Sequence, residues 1–339
     1  MRTVLVTGAG GYIGSVLTRM LLEQGKKVIA FDRFFFGRQT LPEESEQLRV
    51  VRGDVRWIGE ELLQGVDGVV DLAALSNDPS GELDPEKTWE INHRARARLA
   101  GMAKTVGVGR YILPSSCSIY GFQDGILTEA SPVNPLTTYA QANFQAEQDI
   151  LPLADKDYCV VVIRQATVYG LSTRMRFDLA INGMVRGFFK NGKIPILRDG
   201  AQWRPFVHVR DTCRAMLMLL EAPSEKVNGQ VFNIGSDDQN CQIMPLAEMV
   251  AQAIGVPFEY EWYGSPDHRS YRVSFHKIAE TLGFETNVTP MDGAREIYHA
   301  LQAGQLDPDD PKSITVQWYR HLMEMQSFLR ETEIEGVLL

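Results

Sequence analysis

Cysteine is scarce in this chain of 339 residues. The four present, Cys117, Cys159, Cys213 and Cys241, stand far apart, with no C-x-x-C pair and no histidine cluster beside them. Such spacing suggests neither a disulfide framework nor a metal site. Long apolar runs are missing as well: nothing approaches the roughly 18 uninterrupted apolar residues of a membrane helix. The start, Val4–Val6 followed by Thr7-Gly8, lacks the basic flank and long apolar core of a secretion signal. A soluble, cytoplasmic protein is expected. Positive charge is in deficit, 34 Lys and Arg against 43 Asp and Glu, for a net −9. That balance argues against nucleic acid or an anionic membrane surface as a partner. It still permits a small anion held by a few local arginines.

What is present describes a globular protein: 44% hydrophobic and 23% charged residues, too apolar for disorder. A length of 339 exceeds the usual limit of one hydrophobic core, so two lobes are expected. Short runs at Thr3–Thr7, Lys27–Phe31, Leu48–Arg52, Gly68–Asp71, Tyr111–Pro114 and Val160–Arg164 read as strands apolar on both faces. Helical patterns lie between them, at about Tyr12–Gln24, Glu60–Leu63, Glu86–Thr105 and Tyr139–Leu153. This alternation predicts an α/β fold with a Rossmann-type, doubly wound parallel sheet. After Gly170 the pattern breaks into short, more basic pieces. One helix (Asp211–Leu220) and one strand (Val231–Ile234) are expected to rejoin the sheet. The remainder reads as a smaller mixed α/β C-terminal lobe with a strand near Phe258–Tyr260, and Glu331–Leu339 as a loose tail.

Gly8, Gly11 and Gly14, with Gly10 in addition, form a G-x-x-G-x-x-G turn between the first strand and the first helix. Glycine is needed there because the chain turns tightly and its backbone must approach a pyrophosphate closely. The helix N-terminus, with Tyr12 and Ile13 in its first turn, offers N–H groups and a partial positive charge to that anion. Asp32 ends the second strand, 18 residues past Gly14. A carboxylate there accepts from a ribose diol and repels a 2′-phosphate, which selects NAD, while Arg33 beside it keeps NADP as the lesser alternative. Asp54, followed by Val55, ends the third strand and can accept from an adenine amino group or cap the next helical turn. Leu72, Ala73 and Ala74, after the fourth strand, would let a cofactor lie along the backbone.

Ser115-Ser116-Cys117-Ser118 follows the fifth strand, at the carboxyl edge where α/β sheets bind ligands. Tyr139 opens a later helix, and Asn143 lies four residues on, along the same face. A serine hydroxyl, a tyrosine phenol and the residue at Tyr+4 beside a dinucleotide can move a hydride and a proton together. The phenol handles the proton and the serine orients the oxygen.

These features together resemble the extended short-chain dehydrogenase/reductases, the NAD-dependent nucleotide-sugar epimerases and dehydratases, from Arg2 to about Gly283. The resemblance rests on the glycine turn, Asp32, Asp54, Asn92, Ser116, Tyr139 and the run Arg204-Pro205-Phe206-Val207-His208-Val209-Arg210-Asp211. It implies that Ser116 and Tyr139 are catalytic, that Asn92 and Asn143 sit at the cofactor, and that Arg204 grips the diphosphate of a nucleotide sugar. Ser118, Thr167, Arg174, Arg176 and Arg269 are expected in the same substrate site. Arg164–Gly170, Arg174-Met175-Arg176 and Pro266-Asp267-His268-Arg269-Ser270-Tyr271 look closest to enzymes acting on nucleotide-activated heptoses. The domains then divide as residues 1–172 with about 208–236 for NAD, and 173–207 with 237–330 for the nucleotide sugar. A homodimer is expected through the apolar faces of Glu86–Thr105 and Tyr139–Leu153, the helices such proteins usually pair.

Two departures from the family pattern shape the expected chemistry. The family has lysine at Tyr+4, where it lowers the tyrosine pKa, and this chain has Asn143. An ammonium about 4 Å from a phenolate, at an effective dielectric near 20, is worth roughly 4 kcal/mol, on the order of three pKa units. The family's 4,6-dehydratases place Asp and Glu after the catalytic Ser/Thr, where this chain has Cys117 and Ser118. The reading is therefore an NAD-dependent epimerase or oxidoreductase acting at a sugar carbon, C4 being the expected one. A dehydratase with an unusual base is one alternative. An NAD-binding sensor without turnover, motivated by Asn143, is another.

Overall fold

The computed structural model describes residues 1–265 and 269–334. A parallel sheet of seven strands runs through its centre: β1 (Thr3–Thr7), β2 (Lys27–Asp32), β3 (Leu48–Arg52), β4 (Gly68–Asp71), β5 (Arg110–Ser116), β6 (Cys159–Gln165) and β7 (Gln230–Ile234). Their order is β7-β6-β5-β4-β1-β2-β3, every neighbouring pair parallel. The middle strands are enclosed on both sides: Val69, Val70 and Val160 to Ile163 have no exposed surface. Such β-branched runs suit a pleated sheet covered on both faces. The late strand expected at Val231–Ile234 does rejoin the sheet, as its edge strand β7.

Helices α1 (Tyr12–Glu23), α2 (Arg96–Val106), α3 (Thr138–Ile150) and α4 (Val209–Glu221) flank it. On one face Leu17 and Leu21 of α1 join Met216 and Leu220 of α4 in the core. On the other, Leu99, Ala100 and Ala103 of α2 meet Ala146 and Ile150 of α3. The helical pattern read at Glu86–Thr105 is interrupted by a π turn over Glu90–Ala95, and Glu60–Leu63 is a 3-10 turn. These residues of α2 and α3 are packed into the core beside the sheet.

The chain leaves β1 toward β2 and β3 and returns on the other side of β1 as β4. Strand order reverses there, which opens a crevice at the carboxyl ends of β1 and β4. Thr7 and Asp71 face each other across that point, with Thr7 Oγ1 donating to Asp71 Oδ1 at 2.5 Å.

The lobe above the crevice holds a third core, with Ile181, Val185, Leu246, Val250, Ala294 and Ile297 among its buried members. It contains short strand pairs and triplets: Thr167–Tyr169 with Trp203–His208 and Asn240–Gln242, and Ile194–Leu197 with Tyr260–Tyr263. The last of these stands close to the strand expected near Phe258–Tyr260. A further helix, α5 (Thr315–Thr332), runs through the start of the expected tail, and residues 335–339 lie outside the described ones. No helix among the described residues is long and apolar enough to cross a membrane.

Candidate active site

One cavity of about 1350 Å³ extends from the carboxyl ends of β1, β2 and β4 into the lobe. Gly8, Gly11, Tyr12, Ile13, Gly14, Asp32, Arg33, Asp54, Val55, Leu72, Ala73 and Ala74 all line it. Gly8 has φ +63°, and a Cβ on it would stand 2.7 Å from the Leu72 carbonyl. A Cβ on Gly14 would collide with the Gly8 carbonyl oxygen. Gly11 caps α1 without a side-chain hydrogen bond, so the opening N–H groups of the helix face the cavity with no capping side chain. Asp32 accepts N–H bonds from Gly10 at 3.0 Å and Phe34 at 2.5 Å, which fix its carboxylate at the end of β2. Burial pushes its pKa up while those two bonds pull it down.

Asp54 has a more occupied role. It caps the turn Val55–Trp57 through the Arg56 N–H, and the Arg56 and Arg33 guanidinium groups hold its oxygens at 2.8 to 3.0 Å. Burial raises its pKa, and the bonds from Arg56 more than reverse that. Asp54 thus caps this turn at the cavity wall and is paired there with Arg33. Asn92 is buried behind Leu75, a residue of the cavity wall. Its amide accepts from the Leu75 N–H at 2.8 Å and donates to the Leu75 carbonyl at 3.0 Å, so it clamps the loop after β4.

The catalytic pair lies farther along the same wall. Ser116 ends β5, takes the Ser118 N–H on Oγ at 3.1 Å and lines the cavity together with Tyr139. Thr137 caps α3 through the Ala140 N–H, which sets Tyr139 in the first turn. Two turns on, Glu147 anchors α3 to the sheet: it accepts from Ser115 Oγ at 2.5 Å and pairs with Arg164 at 2.8 Å, all three residues buried. Burial pushes the Tyr139 phenol above its ordinary pKa, and the charge of Asp78 adds to that. The Ser116 hydroxyl, Arg96 and Arg176 pull it the other way. Asn143 Nδ2 donates to the Tyr139 carbonyl at 2.9 Å, and its Oδ1 accepts from Arg96 Nη1 at 2.9 Å.

The NAD dependent epimerase/dehydratase family model matches residues 4–235, well over half of the sequence. The chain belongs to that family. A UDP-glucose 4-epimerase of Corynebacterium glutamicum is 26% identical over 319 residues, covering 85% of this chain and 92% of its own. A dTDP-glucose 4,6-dehydratase of Streptomyces niveus is 26% identical over 336 residues, covering 94% and 92%. MoeE5, solved in complex with UDP-glucuronic acid and NAD, is 28% identical with a TM-score of 0.80, over 89% of this chain and 99% of that one. The family is NAD-dependent by its description, and the glycine cradle, bare helix N-terminus and oriented Asp32 fit such a dinucleotide.

Within this family the two departures take physical form. Asn143 stands at the cavity wall where the lysine is expected. Cys117 is buried and donates to the Arg164 carbonyl, with its thiol pushed far up by burial, so it offers no acid or base. Ser118 lines the cavity, and its buried Oγ has no hydrogen-bond partner among the described residues.

The expected substrate residues Thr167, Arg174, Arg176, Arg204 and Arg269 also line the cavity. Arg176 forks onto Asp178 at 2.9 and 3.0 Å, Arg269 pairs with Asp78, and Arg204 donates to the Trp203 and Arg269 carbonyls. Arg174 stacks 3.7 Å over Phe36, and its Nε and Nη1 have no hydrogen-bond partner among the described residues. Pro266, Asp267 and His268 of the heptose-like run lie outside the described residues. His208 is buried, with Nε2 2.6 Å from Glu296 and Nδ1 taking the Arg210 N–H, which leaves it no catalytic nitrogen. Sequence reasoning missed Arg96, Asp78, Asp178 and α5, all on the cavity wall.

Proposed function

We propose that this protein is an NAD-dependent nucleotide-sugar epimerase or oxidoreductase that oxidises a sugar carbon, C4 in the reading preferred here. The observation that carries this is the placement of Ser116 and Tyr139 together on the wall of a cavity that the glycine turn and Asp32 also line. A sugar hydroxyl seated against that pair gives its proton to Tyr139 Oη while Ser116 Oγ holds the oxygen in place. NAD, when bound, supplies hydride acceptance and return at its nicotinamide. Gly8, Gly14 and the N-terminus of α1 would hold the pyrophosphate, and Asp32 would take the ribose diol. The arginines on the lobe side, Arg204 first, supply donors for the substrate diphosphate.

Epimerisation is favoured over 4,6-elimination because Cys117 and Ser118 carry no acid–base pair, and Asp78 and Asp178 are held by Arg269 and Arg176. The test is incubation with UDP-, GDP-, dTDP-, CDP- and ADP-sugars, followed by NMR, mass spectrometry and absorbance at 340 nm. An epimer of unchanged mass with no lasting absorbance is expected. A product lighter by one water would establish the dehydratase instead, and lasting absorbance a net oxidation. Tight NAD binding without any turnover would leave only the sensor reading.

A further inference from the structure

Asn143 leaves the cavity wall one cation short of the family pattern, and another helix brings a cation to the same place. Arg96, the first residue of α2, is 1% exposed. Its guanidinium is fixed on every side. Nη1 donates to Asn143 Oδ1 at 2.9 Å, Nη2 to the carbonyls of Asp71 at 2.9 Å and Pro114 at 2.5 Å, and Nε to Asp71 Oδ2 at 3.3 Å. Asp71 is itself held by Thr7 Oγ1 at 2.5 Å and the Tyr111 hydroxyl at 2.6 Å. A guanidinium keeps its proton even when buried, so this is a permanent charge.

We propose that Arg96 is the positioning residue that stands in for the family lysine, presenting its charge to Tyr139 through Asn143. Asp71 meets the Nε side of the guanidinium and leaves Nη1 directed at Asn143. A cation on the amide oxygen makes the amide nitrogen a stronger donor, and that nitrogen already holds the backbone of Tyr139.

Three charged groups act on Tyr139, with the Ser116 hydroxyl beside them. Asp78 comes from the short helix Asp78–Gly81 and is held by Arg269. Arg176 follows Thr167–Tyr169 and has two of its nitrogens on Asp178 and the third toward Ser76. Ser116 ends β5, and Arg96 opens α2. Of the two arginines, Arg96 is the one bonded to the residue at Tyr+4.

The inference rests on the proton-transfer role of Tyr139, so its test does not use turnover. With 3-fluorotyrosine placed at position 139, fluorine NMR of the NAD-loaded protein follows ionisation of that phenol directly. Arg96→Met is expected to raise the titration midpoint by about one pH unit, a tenfold loss of phenolate at fixed pH. Arg96→Lys should move it less. Arg96→Met combined with Asn143→Lys should bring it back, because the charge returns on the neighbouring helix. If Arg96→Met fails to fold with Asp71 left unpaired, Arg96→Met/Asp71→Asn decides the matter. An unmoved midpoint in a folded Arg96 variant, or no recovery with Asn143→Lys, overturns the proposal. Absence of sugar turnover by the native protein would instead overturn the functional reading and leave this titration standing.

Discussion

At the residue scale, Tyr139 must release a proton before it can take one from a sugar hydroxyl. Its pKa lies above the ordinary value because it is buried and faces Asp78, so near neutral pH the phenol is protonated. Below a pKa the base form grows about tenfold for each unit of rising pH. Single-turnover oxidation of the sugar, followed at 340 nm, should therefore climb with pH across the neutral range. A flat profile would mean that another group accepts the proton. Tyr139→Phe should lower turnover by roughly 10²–10⁴ while leaving NAD binding intact, as equilibrium titration of NADH fluorescence can check. Gly8, Gly14, Asp32, Ser116 and Tyr139 were legible because each acts at a strand end or helix start that its own neighbours in sequence define. Arg96 was not, since its role needs α2 and α3 to meet across 47 residues of chain. One sign was present: Arg96 falls on the buried row of Asn92, Leu99, Ala100 and Ala103, an unusual place for a charge.

At the element scale, α5 covers the cofactor half of the cavity. Tyr319, Leu322, Gln326, Leu329 and Arg330 line it, at spacings of three and four that put them on one helical face. The helix is fastened to the loop after β2. Trp318 Nε1 donates to the Phe35 carbonyl at 2.7 Å, and the Tyr319 ring packs on Phe35 and Phe36 at 5.7 and 5.6 Å. If NAD sits beside Asp32 as proposed, this roof would oppose its release. Leu322→Asp with Leu329→Asp should speed NADH dissociation at least tenfold by stopped-flow fluorescence, with the melting temperature little changed. An unchanged rate would show that α5 does not hold the cofactor in place. The strands of the sheet were readable from composition because each is four or more residues of apolar chain covered on both faces. Thr167–Tyr169 and Asn240–Gln242, three residues each, carry too little pattern, and α5 is amphipathic without saying what it covers.

At the scale of the whole molecule, the net charge of −9 and the anion site coexist because the cations are placed inside. Arg174, Arg176 and Arg204 are all buried around one cavity. Arg174 is the least compensated: burial and the neighbouring Arg176 push its pKa down to about 10. A diphosphate entering that space would meet Arg174 Nε and Nη1, which have no hydrogen-bond partner among the described residues, and it would relieve the repulsion between Arg174 and Arg176. Binding should therefore stabilise the fold in proportion to phosphate content. A ligand at a hundred times its Kd adds about 2.7 kcal/mol, which raises Tm by several degrees. In a thermal-shift series, NAD and ADP-ribose should give similar rises, because the glycine turn and Asp32 grip the half they share. Uridine should give almost none, and UDP added to the NAD-loaded protein should give a second rise. That second rise should shrink in Arg204→Met. Equal shifts from UDP and uridine would mean that the cavity reads the base alone and that its buried arginines serve the fold rather than a diphosphate.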